Sequence, residues 1–162
     1  MYIKDFIRLI KQMKQGPVPH RLIFIWSGLT SELEETLDGI EIHRCDLVSV
    51  RSEASPSDEN PKSLLEAFIK QECKRYLEQR NEPSILIIND AILLARYGCD
   101  MSSFFRYGMS PRSAVILLFP SESYRQLPAK AEKWVERNTR AILHRISKQL
   151  GEPKCIIEAS GG

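Results

Sequence analysis

The chain has 162 residues, of which 43% are hydrophobic and 27% charged, and a formal net charge of +2. That length suits one domain with a full core and not two, the composition is globular rather than disordered or fibrous, and no stretch reaches the ~18–20 uninterrupted apolar residues of a membrane span. Charge is unevenly spread. Residues 31–60 hold nine acids against two bases, Arg44 and Arg51, while from residue 101 onward ten bases face five acids, a bipolarity that suits docking to a protein partner or to nucleic acid.

The start, Met1-Tyr2-Ile3-Lys4-Asp5, carries charge where a signal peptide needs an apolar run, so the expected location is the cytoplasm. Residues 2–15 read as an amphipathic helix, with Ile3, Phe6, Ile7, Ile10 and Met13 at helical spacing and Lys4, Arg8, Lys11 and Lys14 elsewhere on its surface. Gly16-Pro17-Val18-Pro19 ends it. Leu22-Ile23-Phe24-Ile25-Trp26 is a short unbroken apolar run, the pattern of a strand buried on both faces. Ser31-Glu32-Leu33-Glu34 has capping-box form and Gly39 suits a helix stop, which predicts a short helix over about 32–38. Ile40 to Val48 reads as a second strand with mixed faces.

Residues 49–62 are polar and proline-punctuated, and read as a flexible loop inside one domain spanning 1–162. Ser63 and Glu66 form a second capping box, and the helix after them carries Leu65, Phe68, Ile69, Tyr76 and Leu77 mostly along one face. Ile85-Leu86-Ile87-Ile88 is the strongest buried-strand signal. A short helical stretch follows, then another from Asp100 to Tyr107, closed by Gly108. Ala114 to Phe119 is a fourth strand, Pro128 opens a long helix that ends at Gly151, and Cys155-Ile156-Ile157 is a fifth strand. Strands that alternate with helices, with apolar interiors, predict an α/β fold: a three-layer α/β/α sandwich around a five-stranded, mainly parallel sheet.

The four cysteines and three histidines are scattered, which predicts reduced structural thiols and no metal centre. Two placements then carry a resemblance. The first strand runs into a glycine-bearing turn and a helix (Trp26-Ser27-Gly28-Leu29-Thr30-Ser31), and the third strand ends in Asn89-Asp90. These positions resemble the Walker A and Walker B motifs of the additional-strand class of P-loop NTPases. The run from Ile85 through Phe119-Pro120, with Leu93, Leu94, Tyr97, Phe104 and Phe105 between its two strands, is similar to that of the small P-loop-like subunits of bacteriophage exclusion (BREX) defence systems. That resemblance implies a component of a multi-subunit, DNA-associated complex.

The residues depart from the nucleotide-binding pattern. A Walker A loop needs G-x-x-x-x-G-K-[ST], so that amides wrap the phosphates and a lysine neutralises them. Counted from Gly28, those last three positions fall on Leu33, Glu34 and Glu35. Glu32, Glu34 and Glu35 stand in the first helical turn, where they repel a polyphosphate. Asn89 replaces the metal-binding aspartate, leaving Asp90 beside it. The site near Gly28, Ser31, Asn89 and Asp90 therefore reads as degenerate, with no cofactor and no small-molecule ligand, and the chain as a non-catalytic binding or scaffolding subunit that docks to larger proteins.

Other constellations remain as alternatives. Asp90 is the one candidate for an atypical NTPase, or for a metal-dependent nuclease in which Asp100 and Glu122 join it. Ser121-Glu122-Ser123 follows a strand but lacks a nucleophile elbow. On the long helix, 129–150, Lys133, Arg137, Arg140, His144 and Lys148 fall in one stripe opposite Ala131, Trp134, Val135, Ile142 and Ile146. This basic face is either solvated or a contact to DNA phosphates or an acidic partner. Trp26 reads as core packing beneath the following helix, or as a plug in a vacated phosphate pocket.

Overall fold

The computed structural model describes residues 3–17, 22–26, 30–49, 60–77, 82–91, 93–94, 97–100, 103–106, 112–118 and 156–157. The chain is an α/β protein built on a parallel sheet. Its elements are α1 (Ile3–Gln15), β1 (Leu22–Trp26), α2 (Thr30–Thr36), β2 (Glu41–Asp46), α3 (Pro61–Leu77), β3 (Ser84–Asn89), α4 (Ser103–Arg106), β4 (Ser113–Leu118) and a two-residue β5 (Ile156–Ile157). Strands lie side by side in the order β2-β3-β4-β1-β5, and every neighbouring pair is parallel.

Side-chain alternation along the strands explains the core. Successive residues of a strand point to opposite faces, and here both faces are apolar. Phe24, Trp26, Ile85, Ile87, Ala114, Ile116 and Leu118 join one cluster, with Phe6, Ile10 and Met13 of α1 and Leu33 and Leu37 of α2 and its following turn. Ile23, Ile25, Leu86, Ile88, Val115 and Leu117 join the other, under Leu65, Ile69, Cys73 and Leu77 of α3 and with Leu93, Leu94 and Phe104. The register aligns these layers, for Phe24 sits beside Ile116 and Ile85 beside Ala114. Each large side chain buried this way contributes roughly 1.5–3 kcal/mol. The central strands β1, β3 and β4 thus need the unbroken apolar runs that the sequence displays.

The edge strand β2 differs. Only Cys45 is buried within it, Ile42 and His43 are half-covered, and Glu41, Arg44 and Asp46 are exposed. It is held from one side by β3 and from its inner face by α3, where the His43 ring stacks on Tyr76 at 3.8 Å between centroids. Charged side chains along an outer strand also disfavour pairing with a stray chain.

Several boundaries move from their expected places, each for a local reason. α2 begins at Thr30, so Ser31 lies within the helix rather than capping it. It ends at Thr36 rather than at about 38, and the turn after it closes over Gly39 at φ +80°, with the Ile40 amide donating to the Leu37 carbonyl at 3.2 Å. β2 stops at Asp46 instead of running to Val48. The Asp46 carboxylate accepts from the Val48 amide at 3.2 Å and the Ser49 hydroxyl at 3.0 Å, which turns Leu47–Ser49 helical. The loop expected over 49–62 is therefore helical at Ser49 and again from Pro61; residues 50–59 lie outside the described residues.

α3 starts at Pro61 and not after Ser63. Asn60 caps it through Oδ1 to the Lys62 amide at 3.0 Å, and proline takes the first helical position, where its missing N–H is not needed. The supposed capping-box residues Ser63 and Glu66 lie inside the helix. Residue 119 and the long helix expected over 129–150 lie outside the described residues, as does Cys155.

α1 is fastened at its C-terminal end. Arg112, just before β4, donates from Nε to the Met13 carbonyl at 3.2 Å and from Nη2 to that of Lys14. Lys14 in turn donates to the Asp38 carbonyl at 2.6 Å, at the end of α2. These cations meet carbonyls that no helical amide reaches. Among the described residues no helix is long and apolar enough to cross a membrane.

Candidate functional site

The parallel strands deliver their carboxyl ends to one edge, which is where open α/β sheets bind ligands. β1 ends at Trp26, β2 at Asp46, β3 at Asn89 and β4 at Leu118. The chain after β1 turns to the face covered by α2, whereas that after β3 turns to the opposite face through Leu93 and Leu94.

At β1 the helix follows at once. Only residues 27–29 separate Trp26 from Thr30, and that short segment includes Gly28. Ser31 is exposed on α2. Glu32 is half-buried and Glu34 and Glu35 are exposed on the same helix. Arg44 of β2 donates from Nη2 to Glu34 Oε1 at 3.1 Å, but both side chains are largely exposed and water screens the pair. Beneath them Trp26 is fully buried, its ring 5.5 Å from that of Phe6 and in one cluster with Leu33 and Leu37. The core-packing reading of Trp26 is the one this geometry bears out.

At β3 the register sets Asn89 opposite Asp46, with Asp90 the next residue. Asp90 holds a left-handed backbone, φ 56°, a conformation that aspartate tolerates better than most side chains. The turn it starts is closed by the Leu93 amide donating to the Asp90 carbonyl at 3.0 Å, while the Ala91 amide reaches the Leu118 carbonyl of β4 at 3.4 Å. The Asp90 side chain faces that of Asp46. Burial, the nearby Asp46 charge and a hydrogen bond between the two acids raise its carboxyl above the ordinary aspartate value.

The strand order places β4 between β1 and β3. The carboxyl ends of β1 and β3 therefore stand about two strand spacings apart, or ~10 Å. Asp46 is the participant that the sequence hid, because a strand read to Val48 puts it mid-strand instead of at the sheet edge. Asp100 is exposed and its amide donates to Glu66 Oε1 at 3.3 Å, at the start of α3. Glu122 and the Ser121–Ser123 cluster lie outside the described residues, as do Gly28 and all five residues of the basic stripe, Lys133, Arg137, Arg140, His144 and Lys148. Among the described residues no three or more His, Cys, Asp and Glu side chains gather as a metal ion would require.

No model of a known protein family matches the chain, and no curated protein matches it either.

The described thiols are buried in the core. Cys45, Cys73 and Cys99 are free and buried. Burial first, and then the Glu72 carboxylate, push Cys45 and Cys73 up to about 12, which keeps them protonated and unreactive. A groove of about 390 Å³ runs between α1 and α2, lined by Ile7, Ile10, Lys11, Lys14, Glu35, Thr36 and Asp38. It lies toward the end of α2 that leads into the start of β2, and is therefore away from the strand ends where the acids meet.

Proposed function

We propose that this chain is a P-loop-like, three-layer domain of the additional-strand kind that has lost nucleotide chemistry and works as a binding subunit for larger proteins. The strand order supports the first half. β4 stands between β1 and β3, the insertion for which that class is named, and helices cover both faces of the sheet.

The observation that carries the second half is the join between β1 and α2. A phosphate-wrapping loop needs room between strand and helix for its run of amides and a lysine at the helix start. This chain gives residues 27–29 and then Thr30-Ser31-Glu32-Leu33-Glu34-Glu35. The segment is too short and the cation is missing; because α2 starts at Thr30, only Glu32 of the three glutamates expected in its first turn stands there, at the positive end of the helix, with Glu34 and Glu35 in the turn beyond. Across the edge, Asn89 offers a neutral amide to magnesium, and burial and the nearby Asp46 charge raise the Asp90 carboxyl, which disfavours its charged form.

Binding is then the role that an intact, well-packed domain without this chemistry retains. By the resemblance to the phage-exclusion subunits, its partners are the proteins of a DNA-associated defence assembly, met through the acidic 31–60 region, the basic stripe of 129–150, or both. Purification of the tagged chain from its native cell at low and high salt tests this. The expected result is a stoichiometric complex with larger proteins and no ATP turnover. A lone monomer that hydrolyses ATP overturns the proposal.

A further inference from the structure

We draw no further inference here: the strongest candidate, the Asp46–Asp90 carboxyl pair at the carboxyl ends of β2 and β3, belongs to the site already described, and nothing among the described residues points to an ion or ligand that it would hold.

Discussion

Replacing Trp26 by alanine tests whether the end of β1 is filled by core. The side chain is fully buried, at the end of β1 under α2, with Phe6, Leu33 and Leu37 in the same cluster. A tryptophan removes roughly 150–250 Å² from water, which at about 25 cal/mol per Å² corresponds to ~4–6 kcal/mol. Alanine keeps part of that burial while the cavity adds a cost, so the expected loss is about 3–5 kcal/mol. That is a large share of the ~5–15 kcal/mol that holds a typical domain folded. Urea unfolding followed by circular dichroism reads it directly: with a slope of about 2 kcal/mol per molar, the midpoint falls by roughly 2 M. Trp26→Phe keeps a ring against Phe6 and loses about 1–2 kcal/mol, between the two extremes. If Trp26→Ala costs less than about 1 kcal/mol, as an ordinary surface change does, Trp26 is not a core residue and the reasoning fails.

Asp90→Asn tests whether burial and the Asp46 charge raise the Asp90 carboxyl. Because folding raises the Asp90 carboxyl above its unfolded value of 3.8, its favourable contribution is full below that value and is lost as pH rises through the folded one. The asparagine variant, which keeps a donor toward Asp46 without a charge, therefore melts progressively higher relative to the natural protein as the pH rises above the unfolded value of 3.8. A difference in melting temperature that stays flat as the pH rises contradicts the pairing. Asn60→Ala removes the cap of α3 and costs about 0.5–2 kcal/mol in urea unfolding. Ser63→Ala costs nothing comparable, and the reverse ranking would put the helix start back at Ser63.

What the sequence made legible follows from burial. β1, β3 and β4 are covered on both faces, so each is a run of apolar residues with no alternation to confuse it with an amphipathic element. α1 was equally plain, since Phe6, Ile10 and Met13 recur at the helical period and all three are buried. The edge strand β2 was harder, because half of it faces water and its end is set by a side chain. Asp46 stops the strand by capping the residues after it, a choice that hydrophobic pattern does not encode. Both helix starts were misjudged in one way. The pattern Ser-x-x-Glu suggested caps at Ser31 and Ser63, while the helices begin earlier, at Thr30 and behind Asn60-Pro61. The candidate site was half legible. Asn89 and Asp90 announce themselves at the end of an apolar run, but the Asp46 partner depends on parallel register between strands almost forty residues apart.

Thermal melting with rising magnesium–ATP is the most direct measurement of the central claim. A ligand that binds only the folded chain stabilises it by about 2.7 kcal/mol at a hundredfold excess over its dissociation constant, and the midpoint climbs with concentration. Glu32 in the first turn of α2, the missing lysine and the three-residue approach predict a melting temperature unchanged by the nucleotide. A midpoint that rises with magnesium–ATP, and ceases to rise once Asp90 is replaced by asparagine, contradicts it.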